Sequence, residues 1–179
     1  VTRYEGTRLG RQELNAELID DVEGALWTRT MLEASRVMKF ENPFRIVIGV
    51  DPKANAAAES ETGIVAAALC KDGRIYIIDD ASINDMPERW ARQVVSTYHK
   101  WNADRVVAEV NQGGDMVVST LRAVDAGLPV TTVHATKGKW TRAEPVSALY
   151  EQGKVRHVGS FPKLEDQMCS WLPGEDSPD

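Results

Sequence analysis

Two acidic residues stand inside apolar segments, where a carboxylate is costly unless something binds it. Asp51 ends the apolar run 44–50, and Glu109 interrupts the apolar run 106–110. A carboxylate in such a place needs a proton, a paired cation or a metal ion. For either residue alone, a backbone N–H or an arginine is a sufficient partner. The pair becomes chemically informative only if the fold brings both carboxylates to one place.

The elements that position this pair follow from the pattern of apolar residues. The short apolar runs 44–50, 63–70 and 74–78 predict three consecutive strands, and Lys71-Asp72-Gly73 predicts a hairpin turn between the second and third. The later predicted elements are a helix with Asp85 as its N-cap, a strand over 105–110, a helix from Gly113 and Gly114 to about 124, a strand over 129–134, and helices near 144–152 and 164–171.

This order of elements predicts an α/β fold with a mixed five-stranded sheet flanked by helices. The first three strands need only hairpins, whereas the fourth and fifth follow helical crossovers and are expected to run parallel to the first. The ribonuclease-H-like three-layer fold has this order, with the first strand central and the fourth beside it. The fold would therefore bring Asp51 and Glu109 to one sheet edge.

Two carboxylates at such an edge suit divalent cations. Adjacent strands lie about 4.8 Å apart, so Asp51 and Glu109 could contact cations spaced about 3.5–4 Å apart. Ligation by oxygen alone suits Mg²⁺ or Mn²⁺ rather than zinc. A third acid is expected from the end of the chain, where Pro178 before Asp179 suits the start of a helix with an acidic first turn. The alternative is an acidic, frayed tail.

Composition limits the class of protein. The 179 residues are 42% apolar and 27% charged with a formal net charge of −6, which is typical of one globular domain. No segment approaches the roughly 18 apolar residues of a membrane span, and the first residues lack the apolar core of a signal peptide. The isolated Cys70 and Cys169 argue against a disulfide scaffold or a cysteine zinc site and favour a reducing compartment. The absence of an initial Met suggests a fragment of a longer protein.

The charges are segregated along the chain. Residues 41–115 carry 8 basic and 12 acidic side chains, whereas residues 137–163 carry six basic and two acidic ones. A basic segment in an acidic protein can be an electrostatic footprint for phosphates. From the charge counts alone, a solvated surface with uneven charge is the simpler interpretation.

Residues 1–40 differ in pattern from the rest of the chain. Leu14, Leu18, Val22 and Leu26 recur every four residues, which places them on one face of a helix. We expect 1–40 to be an amphipathic connecting segment and 41–179 to be the α/β domain. Binding to a partner surface and packing on the same domain explain the apolar face equally well.

Several segments, taken in order, resemble the nuclease domain of tailed-bacteriophage terminase large subunits. The main ones are Val-Ile-Gly-Val-Asp-Pro over 47–52, Thr-Gly-Ile-Val over 62–65 and Val-Ala-Glu-Val-Asn-Gln-Gly-Gly over 107–114. The basic stretch 137–146 and the segments 149–155 and 164–168 continue the likeness. Residues 9–15 resemble the segment that joins the packaging ATPase of that family to its nuclease. Each motif is loose, but the order and spacing together are specific.

The resemblance implies a metal-dependent endonuclease that cuts double-stranded viral DNA during genome packaging. In that family an acidic triad on a ribonuclease-H-like fold binds two ions, Mg²⁺ or Mn²⁺. Asp51 matches the first acid and Glu109 the second. Asp179 matches the first Asp of the stretch that provides the third acid, and the second Asp of that stretch would lie beyond residue 179.

The resemblance also implies partners. Lys137, Lys139 and Arg142 would neutralise DNA phosphates, although they also fit a solvated loop before a helix. The implied partners are the packaging ATPase domain of the same polypeptide, the portal and the small terminase subunit, in the host cytoplasm and without a membrane. The chain has no G-x-x-x-x-G-K-[ST] motif, so we expect this piece not to hydrolyse ATP.

Two alternatives stay open at this point. One is another ribonuclease-H-like nuclease such as a junction resolvase, and the other is a catalytically inactive DNA-clamp or docking module. Asp51→Ala separates enzyme from clamp, because it should abolish cutting in the first and leave the second unaffected. We expect His134 and His157 to lie at strand ends or on the surface, and Trp140 to pack against the helix that follows it.

Overall fold

The chain is described by a computed structural model over residues 22–53, 61–110 and 114–172. These residues form two units, a larger one over Phe40–Gly138 and a smaller one that combines the segment before Phe40 with the segment from Lys139 onward. Leu14, Leu18, Gly113 and the predicted metal ligand Asp179 lie outside the described residues.

The described residues contain five helices and seven strands. In chain order they are α1 (Arg29–Ser35), β1 (Arg36–Val37), β2 (Pro43–Asp51), β3 (Gly63–Cys70), β4 (Ile75–Asp80), α2 (Pro87–Lys100), β5 (Arg105–Glu109), α3 (Gly114–Val124), β6 (Val130–Val133), α4 (Lys139–Glu151), β7 (Val155–Val158) and α5 (Pro162–Ser170). No helix in the described ranges is both long and apolar enough to cross a membrane.

The larger unit holds five strands in the order β4-β3-β2-β5-β6. Strands β2, β3 and β4 pair antiparallel, and Gly73 has the positive φ of +79° that the turn between β3 and β4 requires. Strand β5 runs parallel to β2, and β6 runs parallel to β5. The predicted hairpins, crossovers and central position of β2 are therefore confirmed.

One face of this sheet forms the core of the larger unit. Ile48 and Val50 of β2 are buried, and their parallel neighbours Val106 and Ala108 on β5 are also buried. Helices α2 and α3 cover this face, and the aromatic residue that α2 buries here is Trp90. Because side chains alternate along a strand, Asp51 and Glu109 belong to the opposite face.

The smaller unit contains two strands that the sequence analysis does not predict, so the described residues form seven strands rather than five. Strand β1 pairs parallel with β7, with Arg36 opposite His157 and Val37 opposite Val158. Strands of two and four residues are too short to give a recognisable alternation of apolar residues.

Three helix boundaries differ from the prediction. Met86, not Asp85, is the N-cap of α2, and the Asp85 carboxylate accepts a hydrogen bond from the Met86 backbone N–H at 2.7 Å. Helix α4 begins at Lys139, so Pro145 lies inside the helix rather than at its start. Residues 22–28 contain one turn and one bend instead of a helix, and the φ of +91° at Gly24 is not a helical backbone conformation.

Candidate active site

Asp51 and Glu109 are the last residues of two neighbouring parallel strands. The register pairs Val50 with Ala108, so the next residues on both strands, Asp51 and Glu109, are side by side at the same sheet edge. Asp51 is exposed and Glu109 is half-buried. Two carboxylates with solvent access at one edge are an arrangement that can bind cations.

Two glycines shape this edge. Gly63 lies opposite Asp51 on β3, and a Cβ at residue 63 would stand 3.7 Å from the Cβ of Asp51. Gly114 begins α3, and a Cβ there would stand 3.0 Å from the Cβ of Val110, which is tighter than most real contacts. Helix α3 therefore begins directly against the residue that follows Glu109, and its partly positive N-terminus points to this end of the sheet.

The donors at the edge fit a hard divalent cation but do not complete its site. Asp51 and Glu109 offer only carboxylate oxygens, which are the ligands that Mg²⁺ and Mn²⁺ prefer. Among residues 22–53, 61–110 and 114–172, no three His, Cys, Asp or Glu side chains lie together as a metal site would need. The predicted third ligand, Asp179, is outside these ranges. Asp51 and Glu109 are therefore part of the set of ligands that a divalent cation would need.

The predicted DNA-binding residues are divided between the two units. Lys137 is exposed in the segment after β6, in the larger unit. Lys139 is exposed at the first position of α4 and Arg142 is half-buried on the same helix, both in the smaller unit. Their contact with DNA stays a prediction. His134 is exposed directly after β6, at a strand end as expected.

His157 occupies a buried polar cluster in the smaller unit, which corrects the prediction of a strand-end or surface position. Its relative exposure is 0%, and it lies within β7. Its Nδ1 is 3.0 Å from Oε1 of Glu165, and its Nε2 is 2.8 Å from the hydroxyl of Tyr150. Because the Glu165 carboxylate can only accept, the Nδ1–H of His157 donates to it, and the Tyr150 hydroxyl can donate to Nε2.

The Glu165 carboxylate is the centre of this cluster. Arg36 donates to both of its oxygens at 3.1 Å, and the Phe161 backbone N–H donates to Oε1 at 3.1 Å. Arg36 also donates to the Gly159 carbonyl and to the exposed Glu33. The cluster thereby links β1, β7 and α5, and Tyr150 adds α4.

Burial and hydrogen bonding oppose each other in setting the charges of this cluster. Burial alone would raise the pKa of Glu165, but the hydrogen bonds from His157 and Arg36 outweigh it and lower the pKa to about 2. Burial likewise opposes the Arg36 charge, yet the hydrogen bonds with Glu33 and Glu165 raise the pKa of its guanidinium. Burial and the Glu165 charge raise the pKa of Tyr150, so its hydroxyl stays protonated.

The lowered pKa of Glu165 predicts a pH-dependent stability. A carboxyl whose pKa falls on folding stabilises the native state above its unfolded pKa and loses that contribution as the pH falls. We expect the gap in unfolding free energy between the parent chain and Glu165→Gln to be full at pH 7 and to shrink by about 3 kcal/mol between pH 5 and 2. Urea unfolding of both proteins at several pH values measures this difference in unfolding free energy.

A surface glutamate provides the control for this prediction. Glu151 is exposed at the end of α4, so Glu151→Gln should follow the parent chain at every pH. A gap between the parent chain and Glu165→Gln that does not change with pH would contradict the lowered pKa.

The strand order of the larger unit and the placement of Asp51 and Glu109 at one sheet edge are those of the ribonuclease-H-like α/β fold of nucleases. Within that class, the chain belongs to the family of terminase RNaseH-like domains, which it matches over residues 48–176. The predicted fold and the resemblance to terminase nucleases are thus confirmed. No curated protein sequence matches the chain.

Solved structures of phage terminases share this fold. The large terminase nuclease of thermophilic phage G20c is 15% identical with a TM-score of 0.61, over 83% of this chain and 82% of that one. The large terminase of a second thermophilic bacteriophage is 8% identical with a TM-score of 0.62, over 82% of this chain and 36% of that one. The HK97 bacteriophage large terminase is 14% identical with a TM-score of 0.57, over 75% of this chain and 34% of that one. The chain thus spans about a third of the length of the latter two.

Proposed function

We propose that this chain is the nuclease domain of a large terminase and cuts double-stranded viral DNA during genome packaging. The observation that carries the proposal is the placement of Asp51 and Glu109 side by side at the ends of parallel strands. The family membership over residues 48–176 supports it independently of that geometry.

The carboxylates would act as metal ligands. Asp51 and Glu109, with Asp179 as the predicted third acid, would hold two Mg²⁺ or Mn²⁺ ions. When bound, such ions lower the pKa of an attacking water and stabilise the charge that develops in phosphodiester cleavage. The rigid pairing of β2 with β5 fixes the spacing of Asp51 and Glu109, and the half-burial of Glu109 limits the positions that its carboxylate can take.

The basic residues would bind the DNA backbone. Lys137, Lys139 and Arg142 would neutralise phosphates, which gives binding that depends on salt and little on sequence. The proposed partners are the ATPase domain of the same polypeptide, the portal and the small terminase subunit, in a packaging motor in the host cytoplasm. The large terminase of the second thermophilic bacteriophage was also solved in complex with ATP-gamma-S, so that relative binds a nucleotide analogue.

Plasmid digestion with Mg²⁺, Mn²⁺ or EDTA tests the proposal. We expect the parent chain to cut supercoiled plasmid with either metal, EDTA to stop cutting, and Asp51→Ala to be inert. Asp104→Asn is the matched control, because Asp104 lies at the opposite end of the β2–β5 pair and accepts a hydrogen bond from the Ile46 backbone N–H at 2.7 Å. This control should cut like the parent chain.

Other outcomes would replace the proposal. If neither the parent chain nor a version extended past Asp179 cuts with either metal, a DNA clamp is the better assignment. If four-way junctions are cut much faster than linear duplex, the chain is a resolvase-type nuclease instead.

A further inference from the structure

A lysine stands close to the carboxylate edge along the chain and is held by defined contacts. Lys53 follows Asp51 by two residues and is half-buried. Its Nζ donates to Oδ1 of Asn84 at 2.7 Å, and its backbone N–H donates to Oγ1 of Thr62 at 3.4 Å. The contact with Asn84 joins residues 31 positions apart in sequence, so it depends on the folded larger unit.

The supports of Lys53 are themselves anchored. Thr62 is fully buried, and it exchanges two backbone hydrogen bonds with Ile83, at 2.9 and 3.1 Å. This bridge continues the β3–β4 pair beyond the end of both strands and places Asn84 directly after it. Thr62 also precedes Gly63, which pairs with Asp51. Lys53 is thus attached to the same rigid edge as the carboxylate.

The partner of Lys53 leaves its charge available. The Asn84 amide oxygen occupies one of the three N–H groups of the ammonium and carries no net charge. Within the part of the chain that the structure describes, no carboxylate pairs with this ammonium. Lys100 provides the contrast in the same unit, because its Nζ is 2.6 Å from Oδ2 of Asp79 and its charge is neutralised. Lys53 is oriented without being neutralised.

From this geometry we propose that Lys53 binds a phosphate of the DNA substrate beside the cutting site, and that Asn84 orients it. The inference rests on the proposed nuclease function. It adds Lys53 as a residue that contacts the substrate and Asn84 as a positioning residue. A cation held in advance by an amide loses little further rotamer freedom on binding phosphate, so its contact contributes more than that of a freely moving surface lysine.

Lys53→Ala tests this inference in DNA binding and cutting. We expect the affinity for a short DNA duplex in Ca²⁺ to fall by about 5- to 10-fold at low salt. The slope of log affinity against log salt should decrease by about 0.9, the value for one lost phosphate contact. Loss of a merely structural contact would not change this slope. In plasmid cutting we expect a higher KM with a smaller change in kcat.

Asn84→Asp provides a second test that retains the lysine. The new carboxylate would form an ion pair with Lys53, so this variant should weaken DNA binding in the same direction as Lys53→Ala. Lys71→Ala is the matched control, because Lys71 is an exposed lysine in the β3–β4 turn at the opposite sheet edge, and we expect parental binding and slope.

The outcomes separate this inference from the proposed function. If the parent chain neither binds nor cuts DNA, the proposed function fails, and the inference fails with it. If the parent chain binds and cuts but Lys53→Ala keeps its affinity and salt slope, only the inference fails. A loss of affinity in Lys53→Ala with an unchanged slope would also overturn it, because the lysine would then act through the fold alone.

Discussion

Replacing Glu109 with glutamine should abolish DNA cutting while the fold stays intact. Glutamine keeps the volume of the side chain and one acceptor oxygen, but it removes the negative charge that would hold a divalent cation. Metal ions contribute several kcal/mol to phosphodiester cleavage, so we expect the cutting rate to fall by about 10³-fold or more. Timed digestion of supercoiled plasmid in Mg²⁺ and in Mn²⁺ measures this rate.

The structure explains why the effect should be confined to the chemistry. Glu109 is the last residue of β5 and only half-buried, on the sheet face opposite α2 and α3. Its replacement therefore leaves the core residues Val106 and Ala108 in place. We expect an unchanged circular dichroism spectrum and thermal midpoint, together with weaker Mn²⁺ binding by calorimetry.

A second glutamate on the larger unit provides the control. Glu88 is exposed and pairs with Arg92 at 2.7 Å within α2, so Glu88→Gln should keep the parental cutting rate. Cutting by Glu109→Gln at more than about a tenth of the parental rate would show that the carboxylate does not hold an essential ion, since losing one should cost about 10³-fold. The nuclease would then need a different second ligand.

The sequence predicts the larger unit well because its signals are local. The apolar runs are bounded by turn residues, and Gly73 marks the hairpin with the backbone conformation that the turn requires. Hairpins and crossovers then leave few possible strand orders. The sheet edge shared by Asp51 and Glu109 follows from those two facts, since Asp51 ends one apolar run and Glu109 lies near the end of another.

The strands and buried polar contacts of the smaller unit are not predicted from the sequence, because they join residues that are far apart in the chain. Arg36 and Glu165 are 129 positions apart, and no periodicity connects them. His157 lies in a four-residue strand beside Arg156, so the segment looks polar although the histidine is fully buried.

Helix α4 also differs from the prediction, because Pro145 resembles a helix start but the helix continues through it. The two ends of α4 pack in the smaller unit, with Trp140 on Trp171 and Tyr150 on Trp27.

Removing the Glu165 side chain should destabilise the chain more than any surface substitution. Glu165→Ala would leave Arg36 and the fully buried His157 without their common acceptor. Breaking a buried pair by removing one partner costs about 3–5 kcal/mol, because the remaining charge stays buried. We expect a loss of this size in the free energy of unfolding, measured by urea denaturation at pH 7.

Two comparisons show whether burial of the ion pair causes the loss of stability in Glu165→Ala. Glu33 pairs with the same Arg36 at 2.9 Å but its side chain is 38% exposed, so Glu33→Ala should cost less than about 1 kcal/mol. The double variant Arg36→Met with Glu165→Leu should be more stable than Glu165→Ala, because it also removes the guanidinium, which in Glu165→Ala keeps Glu33 but loses its buried carboxylate partner. Equal losses for Glu33→Ala and Glu165→Ala would mean that solvent screens both pairs alike. The polar cluster would then not be what joins β1, β7 and α5.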